Sequence, residues 1–233
     1  VGYQTGILTA LRDWGLTVVE VPGWQTRGSS SFDPHGFVAH HDVIGPQTSC
    51  PRIIIDGRSD LPGPLSQFWL ERNGRVHLVA AGRANHAGDG GWNGLYGNSS
   101  VWGCEANNLG TPADPWPRAQ LDAYYLLAAA CCDFSGFPPA NVAGHKEWAP
   151  TRKVDPHSID MAAFRRKVAE QRKDGLSVAD IEAITSRLNA IRATQLNQGK
   201  VIRAIRGAQQ GVSKRELDEI DEDLDAIKVE LGI

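Results

Sequence analysis

NVAGHKEWAPTRKVD, residues 141–155, opens on a short apolar run, sets His145 directly after Gly144, and ends ten residues beyond that histidine on Asp155. A second segment, FVAHHD at 37–42, also ends an apolar run of strand length on imidazole, with His40 and His41 adjacent. Successive strand side chains point to opposite faces, so one of these two is expected to serve as a ligand and its neighbour to pack. Strand ends bring side chains from remote parts of a chain onto one rigid edge. Two imidazoles and a carboxylate suit a catalytic zinc, which takes three protein ligands and keeps one position open for water. No HExxH occurs, so the pattern is not that of a metallopeptidase helix.

Outward from these segments, strand and helix signals alternate. Residues 6–14 (GILTALRDW) have helical spacing, and 16–21 (LTVVEV) are short and β-branched, as a strand should be. Residues 52–56 (RIIID) are expected to form another strand. Segments 66–72 and 75–80 flank Asn73-Gly74, a strong hairpin signal. A further strand is expected over 99–105 (SSVWGCE), after a glycine-crowded loop at 88–97, and helices over 117–134, with Leu121, Tyr124, Tyr125, Ala128 and Cys132 on one stripe, and over 160–172. Hairpin and crossover connections interleaved with helices predict an α/β fold with a mixed central β-sheet flanked by helices.

The composition changes near residue 173. All 13 prolines, 7 tryptophans and 7 histidines precede that point, and 174–233 contain no aromatic residue. A division into domains 1–173 and 174–233 follows. In the second, Ile181, Ile184, Leu188 and Ile191, then Leu217, Ile220, Leu224, Ile227 and Leu231, keep three-four spacing, which predicts helices over about 178–206 and 213–231. Residues 181–206 carry five basic residues and one acidic; 214–233 carry three basic and eight acidic. Opposite charge favours pairing of the two, as a helical hairpin or as a coiled coil between chains that would produce self-association.

Whole-chain properties narrow the function classes. A net charge of -3 over 233 residues gives no electrostatic footprint for nucleic acid. No apolar run reaches membrane-spanning length, and no basic-then-apolar leader is visible, so a soluble protein without membrane insertion is expected. Starting at Val1, the chain is expected to be a fragment or a processed product. Four cysteines without framework spacing predict reduced thiols.

Further polar and aromatic residues are candidates for binding or for structure. His77 is expected to be a surface or hairpin residue, and His35 and His157 to lie in turns. His86, opening the glycine-rich loop in NHAG, is a substrate contact or a loop element. Trp92, Trp102, Trp116 and Trp148 offer faces for sugar rings or fill the core, and Asn85, Asn93, Asn107 and Asn108 offer amide hydrogen bonds. His86, Trp92 and Asn107 are the expected substrate-binding residues.

Taken together, VAHHD, ERNG, NHAG, GCEANN and GHKEWAPTRKVD resemble the type 2 N-acetylmuramoyl-L-alanine amidases over roughly residues 30–165. That family includes phage endolysins, cytosolic anhydromuropeptide amidases and peptidoglycan recognition proteins. The resemblance implies a Zn2+ hydrolase that cleaves the amide between N-acetylmuramic acid and L-alanine in bacterial peptidoglycan. It implies His40, His145 and Asp155 as metal ligands, Glu105 as general base, and Lys153 facing the oxyanion. Ser66-Gln67 stand where many members carry Tyr-His, which leaves more of the proton transfer to Glu105. The implied setting is a phage endolysin, held in the host bacterial cytoplasm until it reaches the cell wall. A cytosolic muropeptide-recycling amidase and a non-catalytic peptidoglycan-binding protein are the alternatives; chelator-sensitive release of amino termini separates an enzyme from a binder.

Overall fold

Six strands, β1 (Val18–Glu20), β2 (Gly36–His41), β5 (Phe68–Leu70), β6 (Val76–Leu78), β9 (Val101–Ala106) and β10 (Val142–Gly144), form one sheet in the order β1-β6-β5-β9-β2-β10. Neighbours run parallel except β5 and β6, which are antiparallel, so the sheet is mixed as expected. Two ribbons of two-residue strands, β3 (Gly57–Arg58) with β4 (Leu61–Pro62) and β7 (Gly91–Trp92) with β8 (Leu95–Tyr96), occupy the connections. This computed structural model describes residues 2–174 and, beyond them, 186, 187, 190, 194, 223 and 225. The chain divides into two units, Val1–Leu176 and Ser177–Ile233. The helices expected over 178–206 and 213–231 lie outside the described residues apart from those six positions.

Helices α1 (Ile7–Asp13), α3 (Arg118–Ser135) and α5 (Met161–Asp174) pack on one face of the sheet, whose apolar side chains include Phe37, Ala39, Phe68, Leu70, Cys104 and Ala106. The other face carries smaller clusters: Val38 and Val101 with Trp148 of α4 (His145–Trp148), and Trp69 and Val79 with Ile54 of α2 (Arg52–Asp56). Strands buried on both faces read as continuous apolar runs, and every residue of β2 is buried. Complete burial of a Phe or Leu side chain contributes about 1.5–3 kcal/mol. Helix α3 ends at Gly136, in the left-handed conformation at φ 69°, with Phe137 N–H donating to Cys132 O, the usual way to satisfy the last carbonyls.

The Asn73-Gly74 hairpin forms, with Leu70 paired to Val76. Gly74 alone takes positive φ, at 89°, and its N–H donates to Glu71 O, the geometry of a turn closed by a left-handed glycine. Residues 52–56 are not a strand but one turn of helix. Arg52 and Asp56 form an i,i+4 ion pair at 2.6 Å, only Ile54 is buried, and Gly57 at φ 87° ends the turn. His77 is also not a surface residue: it is 5% exposed and its Nε2 lies 2.6 Å from Glu71 Oε1. Among the described residues no helix is long and apolar enough to cross a membrane.

Candidate metal centre

Strand alternation selects between the adjacent histidines. Phe37 and Ala39 face the helices α1, α3 and α5, so His41 follows them, while His40 shares the opposite face with Val38. His40 pairs in register with Glu105 of β9, whose neighbours Cys104 and Ala106 face the helices, so His40 and Glu105 project on the same side. Strand β10 lies beside β2 and ends at Gly144, where α4 starts with His145. The loop after α4 returns to place Asp155, whose carbonyl accepts the Lys146 N–H at 2.6 Å.

The three expected ligands converge. His40 Nδ1 and His145 Nδ1 are 2.9 Å apart, and each is 3.1 Å from Asp155 Oδ2. A tetrahedral ion with bonds of about 2.0–2.1 Å separates its ligand atoms by roughly 3.3 Å, so this triangle is within a few tenths of an ångström of a zinc face. His40, His145 and Asp155 form the group among the described residues that fits one metal ion. Burial and the neighbouring His145 lower the His40 pKa to about 4, which keeps that imidazole neutral and able to ligate. Burial alone would raise Asp155, but the His145 and His40 imidazoles set against its Oδ2 override burial and hold it well below the usual carboxylate range. Two imidazoles and an ionised carboxylate are a donor set for zinc.

Glu105 stands beside this triangle, its Oε1 3.9 Å from His40 Nδ1. Its Oε2 is buried and has no hydrogen-bond partner. Burial, together with the charges of Asp155 and Asp42, raises its pKa well above the carboxylate range, and the Lys153 charge acts in the opposite direction. Lys153, half-buried, is held through its N–H to Ala149 O at 3.0 Å. Glu105 therefore offers an unused oxygen beside the three groups, within the influence of the Lys153 charge.

The other expected site residues are bonded within the fold. His86 is 8% exposed, with its Nδ1 3.0 Å from His40 Nε2 and its Nε2 3.2 Å from Val101 O. Asn107 is fully buried, donating to Ile44 O, Gly45 O and the Asp42 carboxylate and accepting from Gln47 N–H and Arg72 Nε. Trp92 lies beyond the far end of β10, donating to Ala140 O at 2.8 Å with the Arg165 guanidinium 5.0 Å above its ring. Trp102 and Trp148 are core, and Trp116 donates to His157 O. His41 is 7% exposed and accepts the His157 N–H at Nδ1. Ser66 and Gln67 are buried and bonded to Phe68 O and Gly82 O.

Sequence reading missed Tyr124. Its hydroxyl accepts the His40 N–H at 2.8 Å and lies 3.0 Å from the carbonyls of His40 and Cys104, which bolts α3 to the backbone of an expected ligand. Tyr124 was visible only as one member of the apolar stripe of α3, and nothing in that spacing distinguishes a hydroxyl aimed at a strand.

The family model for N-acetylmuramoyl-L-alanine amidase matches residues 30–158, a span that contains His40, Glu105, His145, Lys153 and Asp155. Among solved structures, the catalytic domain of XlyA is similar at a TM-score of 0.50 and 15% identity, over 66% of this chain and 99% of that one. The endolysin N-acetylmuramoyl-L-alanine amidase LysCS from Clostridium intestinale aligns at 0.49 and 19% identity, over 66% and 95%. AmiD from E. coli aligns at 0.46 and 23%, over 64% and 65%. At 15% identity the likeness to the XlyA catalytic domain is one of fold. Comparison with curated proteins gives no match. With more than half of its length matched by the family model, the chain belongs to the N-acetylmuramoyl-L-alanine amidase family and is an amidase of that class.

Proposed function

We propose that this amidase is zinc-dependent and cleaves the amide between the lactyl carbonyl of N-acetylmuramic acid and the nitrogen of L-alanine in peptidoglycan. The observation that carries the reading is the convergence of His40 Nδ1, His145 Nδ1 and Asp155 Oδ2 beside a buried, unpartnered oxygen of Glu105. His40, His145 and Asp155 would hold the ion. Zinc in such a site supplies Lewis-acid chemistry, acidifying water and polarising the scissile carbonyl.

The chain's own groups do the rest. Glu105, kept basic enough by its buried setting, takes a proton from the attacking water as the new C–O bond forms. The same carboxyl returns that proton to the alanine nitrogen as the C–N bond breaks, so no group ends the cycle changed. Lys153 places a fixed positive charge where the carbonyl oxygen becomes negative; removing such a group commonly costs about 100-fold or more. Ser66 and Gln67, both turned into the core, take no part in proton transfer.

The setting proposed is wall lysis, as for a phage endolysin acting on bacterial peptidoglycan after release from the host cytoplasm. Purified sacculi and soluble muropeptides test both levels of the reading. Mass analysis of a digest is expected to give stem peptides with a free L-alanine amino terminus and glycans with an intact lactyl group. Cleavage within the glycan or stem instead would overturn the assignment of the bond. Turnover of soluble muropeptides with sacculi left intact would replace lysis by recycling.

A further inference from the structure

The dipeptide His86–Ala87 touches both imidazoles of the metal centre from behind. His40 Nε2 lies 3.0 Å from His86 Nδ1, His86 Nε2 lies 3.2 Å from the Val101 carbonyl, and His145 Nε2 lies 3.0 Å from the Ala87 carbonyl. A carbonyl can only accept, so hydrogen sits on Nε2 of His86 and on Nε2 of His145. Neutral His86 then has a lone pair on Nδ1 and can only accept there, which makes His40 the donor from its own Nε2. In the neutral form that metal ligation requires, both histidines then have Nδ1 free of hydrogen. Those Nδ1 atoms are the ones that meet at Asp155 Oδ2.

Two further features hold the dipeptide in place. Asn98 Oδ1 accepts the backbone N–H of His86 at 3.0 Å and of Ala87 at 2.8 Å, so one amide oxygen locks both. Gly103 of β9 makes room for the ring: a Cβ there would lie 2.4 Å from His86 Nδ1 and 2.5 Å from Cγ. His86 stands edge-on to His40, with ring centroids 5.2 Å apart and planes at 90°.

We propose that His86–Ala87, pinned by Asn98 and seated on Gly103, is the positioning device that fixes His40 and His145 as Nε2–H tautomers and so aims both Nδ1 lone pairs at the metal. The proposal rests on the reading of His40, His145 and Asp155 as zinc ligands. His86 and Asn98 are positioning residues, since neither reaches the reacting atoms. Partners that orient ligating histidines in this way typically account for about 10–100-fold in metal affinity.

The test is zinc affinity of the whole chain, measured by competition with a chromophoric chelator, for the parent, His86→Leu, His86→Asn and Asn98→Ala. His86→Leu is expected to weaken zinc binding about 10–100-fold, and Asn98→Ala to weaken it in the same direction. His86→Asn, whose Oδ1 can stand near the former Nδ1 and accept from His40, is expected to recover most of the loss. Imidazole 15N spectra of the zinc-loaded parent should show hydrogen on Nε2 and none on Nδ1 at His40 and His145. A parent that binds no zinc would overturn the metal reading itself. A parent that binds zinc while His86→Leu and Asn98→Ala bind it equally well would overturn this inference alone. Equal losses in His86→Leu and His86→Asn would reduce His86 to packing, and hydrogen on Nδ1 of either ligand in the parent spectrum would overturn the proposal even if a variant failed to fold.

Discussion

His40 and Glu105 are register partners across β2 and β9, projecting from the same face with Nδ1 and Oε1 3.9 Å apart. The distance between the proposed metal ligand and the group proposed to move the proton is thus set by a parallel ladder inside the sheet, not by a loop. A strand pair buried on both faces is among the stiffest placements a fold offers, and proton transfer requires hydrogen-bond reach.

Glu105→Gln keeps the size of the side chain and removes its basicity. Zinc content is expected to stay at the parent level while kcat falls by about 100- to 10,000-fold. Metal analysis alongside turnover of a soluble muropeptide checks both halves, and parent-level turnover would reject Glu105 as the base.

The adjacent histidines are expected to behave differently. His40→Ala should lose zinc, because the triangle of donors loses a corner. His41→Ala should retain it, because His41 lies on the helix-facing side and accepts the His157 N–H. Equilibrium dialysis of the two variants distinguishes them, and loss of zinc from His41→Ala alone would mean the strand parity is assigned to the wrong face.

Tyr124→Phe deletes one oxygen and leaves the His40 N–H without its partner in a buried setting. An orphaned buried donor costs about 1–3 kcal/mol, so the urea midpoint should fall with the slope unchanged. An unchanged midpoint would show that the hydroxyl contributes nothing at the ligand strand.

Arg165 of α5 grips the site helix through Glu147, with Nη1 to Oε2 at 2.7 Å and Nη2 to Oε1 at 2.9 Å, while Glu147 Oε2 also accepts the Gly144 N–H beside His145. The two side chains are 20% and 22% exposed, which places the pair between surface and core. Arg165→Met is expected to cost roughly 1–3 kcal/mol, less than breaking a fully buried pair. Thermal unfolding measures it, and a variant as stable as the parent would mean that the fork does not tie α5 to the site.

Much of this molecule was legible in its sequence because periodicity and spacing are local. The β2 run, the Asn73-Gly74 hairpin and the α3 stripe each announce themselves within a few residues. Residues 52–56 were misread because three isoleucines outweighed quieter helical signals, the Arg52/Asp56 spacing and the glycine that follows. For the site, alternation along FVAHHD separates His40 from His41, but the choice of face needed the family resemblance. The bonding of His86, Asn107 and Trp92 within the fold was not legible, for a common reason. Residue type shows what a side chain can bond, while only the fold shows that a carbonyl, a carboxylate or another imidazole has already taken it. The glycine of GCE was the available clue to His86, since a strand glycine often marks a close approach by another group.

The most direct test of the central claim is restoration of activity by metal. Protein stripped with a chelator is titrated with zinc while new amino termini released from purified peptidoglycan are counted. Activity should be lost on stripping and return in proportion to zinc up to one ion per chain, with no return in His145→Ala. Release of amino termini that is indifferent to the chelator, or that stays absent once zinc is bound, would contradict the account.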